Sequence, residues 1–393
     1  MTLLRSCSSK TQKRNEPKVL HICSDFPNHN IYTQLVTHLE DINVFQIVYA
    51  AVRTKAEAAW KATAPTNIEF HLRYILRPHH RLFFRTKIRK VVQDLCSQVD
   101  LFNVGLIHAH FLYSDGAVAL QLKKKYGIPY IVAVRNTDIN YFKRYRPDLS
   151  WLADEVLMEA GLVIFLSPVY RLNLLARLRT RLFMLLDKKS IVVPNGINSE
   201  WLISTQPRYD LSGDVLRLIY VGNFSKNKNI PVILKAVSIL AAKQTVQLTL
   251  VGGGGNGHRE VQQLLSSGKY DFATYLGRVE SRQRLRAIYR ENDLFVMPSF
   301  EETFGVVYIE ALSQGLPIVY SRGQGVDGYF VPGTICEVVD PRNPSDIARK
   351  IEILANRRQD IAQECMIQAR RFEWCKIAKT YRGIYTSAMM ADL

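Results

Sequence analysis

The chain has 393 residues, 47% hydrophobic and 10% aromatic, with 21 Gly and 15 Pro, a composition that excludes collagen-like, low-complexity and coiled-coil proteins. A single core stops growing at roughly 250 to 300 residues, so two domains are expected. The net charge of +17 is uneven: residues 1–200 hold 28 Lys/Arg against 16 Asp/Glu, and residues 201–393 hold 24 against 19. An anionic partner is therefore expected at the first half: a membrane surface, a phosphate-bearing substrate or nucleic acid.

Residues 1–17 read as a flexible polar tail without the continuous apolar segment of a signal peptide, and no apolar run approaches the ~20 residues that span a bilayer. A cytoplasmic location is expected, with at most a peripheral attachment to the inner face of the plasma membrane. The six cysteines are scattered, with no CxxC pair, so neither disulfides nor a zinc site is expected.

From Lys18 the pattern is strand, loop, helix: KVLHICS, then a helical IYTQLVTHLE. The unit recurs through VFQIVYAAV, VGLIHAHF with AVALQLKKKYG, IPYIVAVR, LVIFLS and SIVVPNG. Continuous β-branched strands alternating with amphipathic helices predict a parallel sheet covered on both faces. An N-terminal Rossmann-like domain is thus expected over residues 18–200, and a linker over 201–214. A second α/β series follows over 215–365: LRLIYVGN, a helix to Lys243, VQLTLVGGGG, FATYLG, LFVMPS, a helix to Gln314, and PIVYS. Residues 366–393 read as a C-terminal helix that packs back on the first domain. Two such domains place a ligand cleft at the carboxyl ends of both sheets.

The strongest chemical signal follows LFVMPS. Glu302 falls in a loop, and Glu310 eight positions later falls in a helix expected to begin near Thr303 and to end at Gly315. That helix is apolar nearly all round, as a buried helix is. A carboxylate buried there costs several kcal/mol unless hydrogen-bonded, and sugar hydroxyls are suitable donors. Backbone N–H groups of Thr303, Phe304, Gly305 and Val306 would meet an incoming diphosphate, which the helix dipole favours.

The segment MPSFEETFGVVYIEALSQGLPIV resembles the Glu-x7-Glu signature of the family 4, or group 1, glycosyltransferases throughout its length. The resemblance extends through VVPNGIN, YVGNFSKNKN, TLVGGG, YLGRV, HAHFLYSDG and VRNTD, from about Lys18 to Tyr385. It implies the GT-B fold, two Rossmann-like doubly wound domains facing each other across a cleft, and a retaining transfer of a sugar from a nucleotide-diphosphate sugar to a saccharide or lipid-linked acceptor in polysaccharide or glycolipid biosynthesis. By the same resemblance Glu310 holds the ribose hydroxyls and Glu302 lies near the donor sugar. Phe304 and Gly305 meet sugar and phosphate, and Lys228 stabilises the departing diphosphate, as its charge fits it to do. Gly222 and Asn223 form the turn at the diphosphate, and Arg278 and Val279 border the base. Arg135 and Asp138 contribute from the acceptor domain.

The chain departs from the family pattern in three places. Asn223 stands where most relatives carry Arg, Arg135 where many carry His, and SDFPNHN replaces the paired glycines after the first strand. No DxD motif occurs, so charge neutralisation by Lys/Arg and a helix N-terminus is expected, without a metal or other cofactor.

Three further signals carry alternatives. GGGGNG satisfies GxGxxG and admits a nicotinamide-dependent dehydrogenase, but a fingerprint of this kind opens a first βαβ unit, and a loop bordering the donor cleft is the expected reading. His108 and His110 are expected to be structural, one ring buried in the sheet and the other turned to the cleft or a covering helix. Phe70 to Gln93 holds seven Lys/Arg and no acid, and another basic run follows Arg177. Both read as solvated helical faces, with an anionic membrane surface as the sharper alternative. No nucleic-acid module is recognisable. A non-catalytic anion- or membrane-binding protein that retains the fold is the competing class.

Overall fold

A computed structural model describes residues 17–60, 67–136, 138, 145–203 and 215–390. The tail expected over 1–17, Pro17 apart, and the linker expected over 201–214, apart from its first three residues, lie outside the described residues. The chain forms two units. One holds the chain up to Phe165, Leu174–Val193 and everything from Ala378; the other holds Leu166–Asn173 and Pro194–Ile377.

In the first unit seven strands form a parallel sheet: β1 (Lys18–Ile22), β2 (Gln46–Val52), β3 (Glu69–Tyr74), β4 (Val104–Ala109), β5 (Tyr130–Val134), β6 (Leu162–Phe165) and β7 (Ser190–Val192), in the order β3-β2-β1-β4-β5-β6-β7. Every residue of β2 and β5 is buried, because apolar side chains on both faces need cover on both sides. The helices Asn30–Glu40, Phe84–Gln98, Ser114–Tyr126 and Ser150–Glu159 each turn buried apolar residues inward. The helix Trp374–Met390 enters this unit from Ala378, where the Tyr385 hydroxyl lies 2.8 Å from Nδ1 of His108.

In the second unit six parallel strands, β8 (Val215–Gly222), β9 (Thr245–Gly252), β10 (Ala273–Gly277), β11 (Leu294–Met297), β12 (Ile318–Ser321) and β13 (Cys336–Val339), run in the order β10-β9-β8-β11-β12-β13. Their core includes Ile219, Val237, Leu250, Phe295, Ile309 and Val319. Each sheet is built outward in two directions from its first strand. The order reverses between β1 and β4 in one unit and between β8 and β11 in the other, and the carboxyl ends beside such a reversal are where open α/β sheets bind ligands.

The stretch from Phe70 to Gln93 differs from its expectation. It is no helical face but, in turn, β3, the short 3-10 turn Pro78–Arg81 and the start of the helix Phe84–Gln98. Pro78 locks its own φ and steers the residue before it away from helix, so the basic run is folded into three elements.

Candidate functional site

At the carboxyl end of β8 the chain turns through Gly222 and Asn223 into the 3-10 turn Lys226–Lys228, which Asn229 ends in the left-handed region at φ +60°. At the carboxyl end of β11 it leaves through Pro298 into the loop that carries Glu302. Asn227 joins the two. Its side-chain amide donates to the Glu301 carbonyl at 2.7 Å, its side-chain oxygen accepts from Glu301 N–H at 2.8 Å, and its carbonyl accepts from Phe300 N–H at 2.9 Å. Asn229 adds donation to the Pro298 and Pro341 carbonyls at 3.1 and 2.6 Å. These bonds bring the Lys228 ammonium to 2.5 Å from Oε2 of Glu302, with side chains 16% and 13% exposed. A charge pair so shielded is held more strongly than one in open solvent.

A second set of bonds fixes the Glu302 backbone. Gln324 accepts through Oε1 from Glu302 N–H at 3.1 Å and from the Tyr170 hydroxyl at 2.9 Å, while that hydroxyl is also hydrogen-bonded to the Glu302 carbonyl. Gly325 N–H donates to the same carbonyl at 2.9 Å. Gly325 has φ +54°, and a Cβ there would lie 2.9 Å from Cγ of Glu302 and from the Phe304 carbonyl. Only glycine fits.

The helix after this loop runs over Val306–Ser313, three residues shorter at its start than its composition suggested. The cause is Gly305, whose φ of +78° is non-helical and whose Cβ would lie 2.4 Å from the Tyr308 ring. Thr303 N–H, expected to face an anion, donates instead to the Glu302 carboxylate at 3.1 Å. The N–H groups of Phe304, Gly305 and Val306 take no acceptor from the described backbone outside the helix itself, and Phe304 is buried. Glu310 lies on the second turn of this helix. Burial pushes its carboxyl up to about 7, against the opposing pull of the Tyr289 hydroxyl 3.5 Å away and the charge of Arg282.

Other expected residues stand apart from this cluster. Asn223 turns its side-chain oxygen to Ser225 N–H at 3.2 Å, closing its own turn. Arg278, 83% exposed, pairs with Glu280 at 3.6 Å, and Val279 beside it is half-buried. The Gly-rich loop after β9 packs against the β8 turn: a Cβ on Gly252 would lie 1.9 Å from the Gly222 carbonyl, and the Gly254 carbonyl accepts from Phe224 N–H at 2.9 Å.

In the first unit Arg135 and Asp138 are buried at the carboxyl end of β5. Asp138 accepts through Oδ2 from the N–H groups of Arg135 and Leu112 at 2.9 and 3.1 Å, and burial pushes its carboxyl up to about 6. Arg135 donates through Nε to the His110 carbonyl at 3.2 Å and lies 5.4 Å over the Tyr32 ring. His108 and His110 do not divide between two faces. Two residues apart on an extended chain, they share one, and their rings stack 4.0 Å apart beside His21, whose Nδ1 lies 3.0 Å from Nε2 of His110. Burial holds all three well below the ordinary histidine range, His21 at about 3. His21 and His108 are tilted by 48° to one another, and the three imidazoles each offer a ring nitrogen within 4.8 Å of the others. None of the five described cysteines forms a disulfide, and no described helix is long and apolar enough to cross a membrane.

Sequence reasoning missed Asn227, Asn229, Tyr170, Gln324 and Gly325. Asn229 alone left a trace, an Asn directly ahead of a helix with Pro at its second residue. The others act across long separations that no local pattern marks.

Two doubly wound units, with a lysine–carboxylate pair and a glycine turn at the switch point of the second, are the frame in which the family comparisons fall. The model of the glycosyl transferases group 1 matches residues 205–372 and that of glycosyltransferase family 4 matches residues 33–201. The chain belongs to this family of sugar-transferring enzymes and has the GT-B fold. Among its relatives are an uncharacterised glycosyltransferase of Methanocaldococcus jannaschii, 23% identical over 72% of this chain and 75% of that protein, and a D-inositol 3-phosphate glycosyltransferase of Paenarthrobacter aurescens, 24% identical over 79% and 78%. Among solved structures, a sucrose-phosphate synthase from Thermosynechococcus elongatus superposes with a TM-score of 0.76 at 20% identity, covering 96% of this chain and all of that one. The Anabaena protein HepE in complex with UDP superposes with 0.69 at 17% identity, covering 94% and 100%.

Proposed function

We propose that the chain transfers a sugar with retention from a uridine diphosphate sugar to a saccharide or lipid-linked acceptor, in polysaccharide or glycolipid biosynthesis at the cytoplasmic face of a membrane. The observation that carries the donor assignment is the Lys228–Glu302 pair, held at 2.5 Å beside a turn of free N–H groups. Uridine is taken from the neighbours whose structures hold UDP and UDP-glucose.

In this reading Glu310 accepts hydrogen bonds from the ribose hydroxyls, and Glu302 orients the donor sugar. The anomeric carbon–oxygen bond to the diphosphate breaks and the acceptor oxygen bonds to the same face of that carbon. The acceptor proton leaves with a diphosphate oxygen. Lys228 and the N–H groups of Phe304, Gly305 and Val306 meet the charge that develops on the leaving group, where fixed donors act most strongly. That donor set supplies positive charge from the protein itself and supports transfer without a resident metal. Arg135 and Asp138, fixed to one another and to the backbone, serve the acceptor side. Gly222, Asn223, Arg278 and Val279 border the nucleotide.

The Gly-rich loop disfavours a dehydrogenase, because its glycines hold it tightly against the β8 turn rather than open to a pyrophosphate. Calorimetry with UDP-glucose tests the donor site: Glu310→Ala is expected to abolish binding while circular dichroism stays native, and unchanged affinity would overturn the assignment. Slow donor hydrolysis without acceptor is the expected mark of a transferase, and its complete absence across several nucleotide sugars favours a non-catalytic binding protein.

A further inference from the structure

Three histidines meet on one face of the first sheet. His21 and His108 are register partners on the neighbouring strands β1 and β4, and His110 follows two residues on, its N–H donating to the Ile22 carbonyl at 3.0 Å. Alternation along an extended chain puts His108 and His110 on the same face, and the parallel pairing sets His21 beside them. Nδ1 of His21 lies 3.0 Å from Nε2 of His110, and the ring of His108 lies 5.4 Å from that of His21 and 4.0 Å from that of His110. All three residues are at most 1% exposed. Tyr32 stands edge-on to His110, and Tyr381 and Tyr385 cover His108.

The hydrogen bonds leave this cluster incomplete. The Tyr385 hydroxyl lies 2.8 Å from Nδ1 of His108, but Nε2 of His108 and Nδ1 of His110 have no hydrogen-bond partner among the described residues. An enclosed polar atom without a partner is costly, and neutral imidazole is the form that ligates a metal. Two nitrogens on one tetrahedral zinc are about 3.3 Å apart, and the centroids of their rings about 5 Å. The two pairs that include His21, with centroids at 5.3 and 5.4 Å, already match this spacing. Only His108 and His110 have to part, by about 1 Å. Arg135, whose Nε donates to the His110 carbonyl at 3.2 Å, is the charged group that acts on both His108 and His110. Its charge opposes an ion held by attraction alone, so calcium and magnesium, which seek oxygen, are disfavoured. Zinc, and after it copper or nickel, bonds to imidazole nitrogen.

We propose that His21, His108 and His110 hold one divalent ion of the zinc class between β1 and β4, with Tyr385 as the positioning residue of His108. His108 ligates through Nε2, the nitrogen that its Tyr385 contact leaves free, and His21 and His110 through the Nδ1 and Nε2 that already face each other. Three protein nitrogens leave a fourth position, which water fills in sites of this kind. Enclosed as it is, the ion meets no substrate. It ties β1 to β4 where the strand order reverses and, through the His110 carbonyl, steadies Arg135. The site stands on the first unit alone, separate from the donor chemistry and independent of the sugar-transfer reading. No ligand spacing marks it in the sequence, because 89 positions separate His21 from His110.

Elemental analysis of the full chain, produced without an affinity tag in zinc-supplemented medium and passed through gel filtration with EDTA, tests the site. About one zinc per chain is expected to stay bound, because an ion so enclosed is taken up as the fold closes over it. The zinc-bound chain is expected to melt higher than the chain from zinc-depleted medium, and cobalt in place of zinc to give the visible absorption of a four-coordinate nitrogen site. His21→Gln and His110→Gln are expected to lose both the zinc and the higher melting temperature. Tyr385→Phe, which keeps the ring in place, is expected to fold natively and to bind zinc about tenfold more weakly against a competing chelator, so it decides between outcomes where a histidine variant does not fold. Absence of retained zinc, equal retention in the native chain and a folded histidine variant, or unchanged affinity in Tyr385→Phe overturns the proposal.

Discussion

At Glu310 burial and hydrogen bonding oppose each other. Removal from water favours the protonated carboxyl and raises it to about 7, and the Tyr289 hydroxyl at 3.5 Å is too distant to reverse this. Ribose hydroxyls donating to the carboxylate would favour the ionised form, so donor binding would release a proton. The sign follows: donor affinity is expected to rise with pH by up to about tenfold per unit below about pH 7 and to level off above it. Titrating UDP-glucose affinity from about pH 5.5 to about pH 8 checks this, with Glu310→Gln expected to flatten the profile; an affinity that falls with pH would contradict it. The spacing of Glu302 and Glu310 and the apolar company of Glu310 are readable in the sequence. The contact of Glu302 with Lys228 is not, because 74 positions separate them and their meeting depends on Asn227 and Asn229.

Among elements, the turn from β11 into the helix Val306–Ser313 shows how backbone geometry sets the site. Gly305 delays the helix, which exposes the N–H groups of the turn, and Gly325 lets a second loop press against Glu302. A side chain at position 325 would need both a left-handed backbone and space already taken by Glu302 and Phe304. Gly325→Ala is therefore expected to cost about 1–3 kcal/mol, or to shift the Glu302 loop and reduce turnover. Urea unfolding and donor hydrolysis together distinguish the two, and a variant native in both would show that the loops adjust freely. Composition suggested a helix from Thr303 because Thr303 and Phe304 are compatible with one. Only the positive φ of Gly305 moves the start, and φ is not a property of composition. The histidines offer the complementary case: spacing of two on a strand already places His108 and His110 on one face, whereas the approach of His21 and Tyr385 comes from pairing and helix packing.

For the whole molecule, the excess of positive charge collects in the first half of the chain and the Lys228–Glu302 pair lies in the second unit, so the two units are expected to answer different ligands. A donor at a hundredfold its Kd stabilises the fold it binds by about 2.7 kcal/mol. Hydrogen exchange with UDP-glucose is accordingly expected to slow most over 220–229 and 298–310, with β4 and β5 little changed. Uniform protection of both sheets, or none near Glu302, would count against a donor site built on β8 and β11.

The two α/β series and the family were determined by the sequence itself, because parallel strands buried on both faces must be apolar throughout and the Glu-x7-Glu segment is a local run of residues. Local chemistry survives in a linear string. The tertiary structure decided the rest: the order of the strands in each sheet, that Lys228 meets Glu302, and that Tyr170 and Gln324 secure the loop. These contacts join residues from different strands and loops, and their geometry exists only once the sheets have set which chain ends lie together.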